Sequence, residues 1–216
     1  MVHAFEPDPS NRAILRSAFG DCGNVRIVPA AVSDEAGELQ LFTSDVSTGI
    51  SSLAPFTSSH KASSIVPVLT LKNYLADAGI TRVDFMKIDV EGFERNVLRG
   101  YDWSFKPEMI VLEFEDAKTL SLGYSWKDLA EDLVERGYEV LVSEWYPIER
   151  YGAYGDTHRW RALKRYPTEL VDGDAWGNLI AGRSVERFVE AAHHAVRRVR
   201  LRRRLEYIRR LRSRRG

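Results

Sequence analysis

Apolar positions along the chain fall into short runs of period two alternating with stretches of period three to four, so strands and helices are expected to follow one another. The opening Val2-His3-Ala4-Phe5 is a short apolar run that stops at Glu6-Pro7-Asp8-Pro9. Two prolines there forbid a continuing strand, and Asp8 or Ser10 can cap a helix. That helix is expected over 11–18, with Ile14, Leu15 and Ala18 facing inward and Gly20 ending it. Residues 25–32 then read as one strand and 38–42 as another, joined by a turn at Asp34-Glu35-Ala36-Gly37. Residues 44–64 are rich in Ser and Thr without apolar periodicity, the pattern of a long surface loop able to cover a site.

Residues 66–71 predict a strand leading into a short helix that ends near Gly79. Val83 to Asp89 has the composition of a buried strand, followed by a helix over 93–98 that Gly100 stops. Further on come a strand over 107–114, an amphipathic helix over 126–136, a strand over 138–143 and a last strand over 177–181. Alternation of this kind through residues 2–143 predicts an α/β fold with a mostly parallel sheet covered on both faces. The last two strands are expected to pair as an antiparallel hairpin at one edge.

Composition adds bounds. A chain of 216 residues, 44% hydrophobic and 29% charged, suits one globular domain with a real core and an appendage. Cys22 is the single cysteine, which excludes an intramolecular disulfide and a cysteine-ligated zinc site and suits a reducing compartment. No run approaches the roughly 20 apolar residues that span a bilayer, and the first residues lack the plan of a secretory signal, so the expected location is the cytoplasm.

Charge changes this picture more. The formal net charge is zero, yet residues 183–216 hold 13 Arg against 3 Glu, a net of +10, which leaves −10 on residues 1–182. An acidic body over 1–182 therefore carries a basic tail over 183–216. Phe188, Val189, Ala192, Val196, Val199, Leu205, Ile208 and Leu211 fall mostly at spacings of three and four, giving an amphipathic helix with an Arg-rich face. Such a helix can pack on the protein's own acidic body, lie on an anionic membrane surface as a peripheral attachment, or dock on an acidic protein partner. Nucleic acid is disfavoured, because apart from Phe188 in the apolar stripe Tyr207 is the one Phe, Tyr or Trp that the tail offers for stacking.

In open α/β sheets ligands bind beyond the carboxyl ends of the strands, so polar residues there are the first candidates for chemistry. Glu6 ends the opening strand, where a carboxylate can accept hydrogen bonds from both hydroxyls of an adenosine ribose; an acidic turn residue beside two prolines explains it as well. In Lys87-Ile88-Asp89-Val90-Glu91-Gly92-Phe93-Glu94, alternation puts Lys87 and Asp89 on one face of an apolar strand, where unpaired charge costs several kcal/mol. They must be paired, solvated in a cleft, or both. Glu113, with Glu115 and Asp116 beside it, ends the next strand and either faces the same cleft or forms a solvated turn. Several carboxylates at one edge raise a divalent metal, but no His stands at ligand spacing and calcium-loop patterns are absent, so no metal is expected. Trp145, Tyr146, Tyr151, Tyr154, His158 and Trp160 make an aromatic insertion that either packs a loop on the core or stacks on a sugar acceptor, with His158 a possible general base.

Taken in order, Val2-His3-Ala4-Phe5-Glu6-Pro7-Asp8-Pro9, Ala31-Val32-Ser33-Asp34 with Gly37, Thr70-Leu71 with Tyr74-Leu75, Lys87 to Glu94 with Val97-Leu98 and Gly100, and Pro107 with Leu112-Glu113 resemble the FkbM family of S-adenosylmethionine-dependent methyltransferases. The resemblance spans residues 2–115 and extends weakly to Gly177-Asn178-Leu179-Ile180-Ala181. It implies a Rossmann-like methyltransferase sheet and O-methylation of hydroxyls on sugars, glycans or natural products. By the same resemblance Glu6 would grip the ribose of S-adenosylmethionine, Ser33 and Asp34 would lie near its adenine, and Asp89 would face its methyl group. Asp89, with Glu91 as second candidate, would take the acceptor's proton while Lys87 holds the carboxylate; Glu113, Trp145 and His158 are the expected acceptor-side residues.

Two departures accompany the resemblance. Lys72-Asn73 stands where the family commonly carries an acid after Thr-Leu. The family also places a first strand and a glycine-rich turn before the Phe-Glu-Pro segment, and Met1 leaves no room for them, so an N-terminally short copy is expected. The rival expectation is a catalytically degenerate domain that binds a membrane or a protein through its basic tail.

Overall fold

The structure is a computed structural model that describes residues 1–149, 151, 158–186 and 188–190. Strand β1 (Val2–Phe5) pairs in parallel with β2 (Val25–Val28) as a two-stranded sheet. Between them runs helix α1 (Pro9–Phe19), opened by Pro9 and capped by the Asp8 carboxylate, which accepts from the Ser10 N–H. The inward face expected of α1 is absent. Ile14 is 63% exposed, Ala18 is exposed and no residue of the helix is fully buried, because α1 lies beside a sheet only two strands wide.

The single strand expected over 25–32 is broken at Pro29, which has no N–H to give to a ladder. Residues before it pair with β1, whereas β3 (Ala31–Val32) pairs with β5 (His60–Leu69) in a second sheet. There β4 (Gly37–Ser44) runs antiparallel to β5, giving the order β3-β5-β4 over a small core of Ala31, Leu41, Val66 and Val68. The loop expected over 44–64 is real but shorter, since β5 already starts at His60.

The remaining elements build a five-stranded sheet. Helix α2 (Leu71–Asp77), capped by the Thr70 hydroxyl, leads to β6 (Phe85–Ile88), α3 (Glu94–Arg99), β7 (Met109–Glu115) and α4 (Asp116–Thr119). Helix α5 (Trp126–Glu135) starts with a reciprocal capping box of Ser125 and Asp128, followed by β8 (Glu139–Trp145), β9 (Trp160–Arg165) and β10 (Trp176–Gly182). Strand order is β6-β7-β10-β8-β9.

Two corrections follow from that order. The architecture is mixed rather than mostly parallel: β6–β7 is parallel, whereas β7–β10, β8–β10 and β8–β9 are antiparallel. The last two expected strands do pair antiparallel, β8 with β10, but inside the sheet rather than at its edge. β10 enters the gap between the mutually parallel β7 and β8, and β9, in the aromatic insertion, supplies the edge instead. A strand with both faces covered reads as an unbroken apolar run, and Leu179-Ile180-Ala181 is one, all three buried. Gly177 permits the fit, since a Cβ there would meet the Ser143 carbonyl oxygen at 1.9 Å.

On one face of this sheet Ile110, Leu112, Phe114, Val140, Val142 and Leu179 pack with Leu98, Trp126, Leu129 and Leu133 of the helices. On the other, Leu141 and Ile180 are covered by Val185, with Phe188 and Val189 packed against them. The residues just past 183 thus begin on the body; the amphipathic helix expected over the rest of the tail lies outside the described residues. β6, expected to be buried, is instead the edge of its sheet, and Phe85 is 56% exposed. No helix among the described residues is long and apolar enough to cross a membrane.

Candidate functional site

The chain leaves β1 through Glu6, whose N–H donates to the Val28 carbonyl at 3.0 Å and whose Oε1 accepts from the Asp8 N–H at 2.8 Å. Burial pushes the Glu6 carboxyl up from its ordinary value. The chain leaves β6 through Asp89 into a tight reversal, where Glu91 has φ 55° and Gly92 φ 106°. A left-handed glutamate costs about 1–2 kcal/mol and persists where its surroundings hold it. Here the buried Glu94 carboxylate accepts from the Val90 and Gly92 N–H groups, both at 3.2 Å, and Ser52 Oγ donates to the Glu91 carbonyl at 2.7 Å. Tyr124 fastens the turn from behind by donating to the Gly92 carbonyl.

Leaving β7, the chain turns at once into α4, and this reversal brings Lys118 back over the strand end. Its ammonium stands 2.6 Å from Glu91, 3.0 Å from Glu115 and 3.5 Å from Glu113, and its side chain is 4% exposed. Burial alone would lower the Lys118 pKa, but the three carboxylates override it and raise it. Glu91 is pushed up to about 7, burial outweighing the attraction of Lys118.

Asp89 lies beside Glu113 and shares a hydrogen bond with it. Burial would raise Asp89, yet that bond and the Lys87 ammonium at 3.0 Å hold it below its ordinary value. Glu113 moves the other way, raised first by burial and then by its hydrogen bond to Asp89.

One cavity of about 390 Å³ joins these strand ends, within the roughly 300–1,000 Å³ of small-ligand sites. Glu6, Asp89, Glu91 and Glu113 all line it, with an apolar wall from Phe5, Ala31, Val32, Leu41 and Leu53. Gly49, Ser51 and Ser52 of the Ser-rich loop close part of it, the cover expected of that segment.

A family model described as the methyltransferase FkbM domain matches residues 1–140. The chain belongs to the FkbM methyltransferase family. No curated protein and no solved structure matches it. The matched stretch of the FkbM domain carries Glu6, Lys87, Asp89, Glu91, Glu113 and Lys118, and it ends inside β8.

Other expected site residues of the FkbM domain sit elsewhere. Ser33 and Asp34 are not among the residues lining the cavity; Asp34 accepts from Ser33 Oγ and from Asn96 Nδ2, both at 2.9 Å, and so ties the end of β3 to α3. Trp145 and His158 each pack against Trp176, ring centroids 5.5 and 5.1 Å away. Trp176 pairs in register with Glu115, which puts these rings at the carboxylate end of the sheet but outside the cavity lining. Tyr154 lies outside the described residues.

Sequence reasoning missed Lys118 and the Phe56 ring over it, and it placed Tyr151 only in the aromatic insertion. Phe56 places its ring centroid 5.4 Å from the ammonium, and Tyr151 donates to Glu115 while contacting Phe56 edge-on. The available signal was spacing. Lys118 follows Glu115 by three residues, one helical turn after a strand end.

Proposed function

We propose that this FkbM domain is an S-adenosylmethionine-dependent O-methyltransferase acting on a hydroxyl of a sugar, glycan or natural-product acceptor. The observation that carries the reading is the single cavity shared by Glu6 and Asp89, which follow strands of different sheets and stand 83 positions apart in the chain. The residues present fit such a donor: Glu6 offers a fixed carboxylate for a ribose diol, and Phe5, Ala31, Val32 and Leu53 offer an apolar wall for a purine. When bound, the donor supplies a methyl group on a sulfonium sulfur.

The protein's own part is alignment and proton removal. We assign the removal of the acceptor's hydroxyl proton to Asp89, which lines the cavity, is half-exposed and is held below its ordinary pKa by Glu113 and by Lys87 at 3.0 Å. Glu91 and Glu113 present polar oxygens beside it for the acceptor. Trp145, Trp176 and His158 form an aromatic flank at the same sheet end, suited to the apolar face of a sugar ring.

Calorimetric titration with S-adenosylmethionine and with its demethylated product tests the donor. Micromolar binding is expected, weakened about 10-fold or more by Glu6→Gln, because hydrogen bonds to a charged group contribute about 1.5–3 kcal/mol. Asp89→Ala should bind the donor as the parent does and lose methyl transfer. Absence of donor binding, or full methylation by Asp89→Ala, would overturn the assignment.

A further inference from the structure

The carboxylates at the ends of β6 and β7 are arranged as for a cation. Oxygens of Asp89, Glu91 and Glu113 all lie within 4.8 Å of one another, a spacing one divalent ion could bridge from about 2.0–2.6 Å. A cation is nevertheless already built in. Lys118 touches Glu91, Glu113 and Glu115 at once, and its side chain is almost wholly buried.

Three features fix the ammonium there. α4 starts directly after β7, which points Lys118 back over Glu115. Gly92, at φ 106°, makes the turn that side chains resist and lies close enough to α4 that a Cβ there would already be in contact with the Lys118 carbonyl oxygen at 3.4 Å. Phe56 covers the ammonium with its ring, a cation–π contact that gains strength away from water. A side chain this long and this buried gives up its rotamer freedom, and multiple charged contacts are what offset that cost.

We propose that the Lys118 ammonium occupies the place of a divalent cation in this site and positions its carboxylates, so that methyl transfer here needs no added metal. The activity part rests on the methyltransferase reading above; the cation part does not. Lys118 acts through Glu91 and Glu113 and is therefore a positioning residue. Removing it leaves several carboxylates facing a vacated cation position, which a divalent ion can fill.

Manganese binding by calorimetry and melting temperature with and without Mn²⁺ test this on the full chain, since neither needs turnover. The parent should bind no Mn²⁺, show no shift in melting temperature, and keep its activity in a chelator. Lys118→Ala should bind about one Mn²⁺ per chain and melt several degrees higher with the ion than without it. The double variant Lys118→Ala/Glu115→Gln, which has one less uncompensated charge and retains Asp89, Glu91 and Glu113, should do the same and guards against loss of folding. Manganese binding by the parent, chelator-sensitive activity, or failure of Mn²⁺ to bind or rescue both variants would overturn the proposal. Donor titration run in parallel separates this result from failure of the methyltransferase reading.

Discussion

Glu91 shows how one residue can be held by several groups and still pay for its position. Its backbone is left-handed, its carboxyl is buried, and its pKa is raised from 4.5 to about 7 in spite of Lys118. A carboxyl raised on folding favours the folded state most below its unfolded pKa, and that advantage is lost as pH climbs to the folded value. The window is therefore about pH 4.5 to 7, and a shift of this size corresponds to about 3 kcal/mol as an order of magnitude. Asp89 and Asp34, lowered on folding, pull the other way at lower pH, so the parent's overall profile mixes both signs. The difference between parent and Glu91→Gln isolates the term. Across that window the parent's denaturation midpoint should fall relative to the variant's, and parallel profiles would refute the burial argument.

At the scale of elements, β10 is the piece that completes the large sheet. Its backbone pairs along both sides, and Gly177 lies so close to the Ser143 carbonyl that a methyl group has no space. Gly177→Ala must push β10 from β8, and overpacking of this kind costs about 1–3 kcal/mol. Urea denaturation should show the loss, with donor affinity little changed because Gly177 does not line the cavity. An unchanged urea midpoint would mean that the strands separate more easily than the contact implies. Helix α1 gives the opposite lesson: Ile14 and Ala18 remain exposed although their spacing reads as an inward face. Periodicity states which residues share a face, and the width of the neighbouring sheet decides whether anything covers it.

For the whole molecule, the acidic body and the basic tail are less separate than the charge count suggests. Val185 is fully buried, and with Phe188 and Val189 it covers Leu141 and Ile180 on the face opposite the helices. A chain ended at Gly182 should be about 2–5 kcal/mol less stable than one ended at Glu190, from about 1.5–3 kcal/mol per large apolar side chain fully buried and less for the half-buried pair. Equal thermal midpoints would count against the packing.

By itself the sequence determined what local chemistry can dictate. Asp8 with Pro9 starts α1, Thr70 caps α2, Ser125 with Asp128 boxes α5, and Glu6 and Asp89 directly follow the ends of β1 and β6. These depend on residues within a few positions of one another, and strand-end carboxylates follow from where apolar runs stop. Tertiary structure alone decided which strands became neighbours: the division at Pro29 between two sheets, the insertion of β10 between β7 and β8, and the edge position of β6 that leaves Phe85 open. It alone brought Glu6 to Asp89 and laid Lys118, Phe56 and Tyr151 over the carboxylates. The physical reason is that a side chain's periodicity records the face it belongs to, whereas its partner across that face is set by long-range packing and hydrogen bonding that no local window contains.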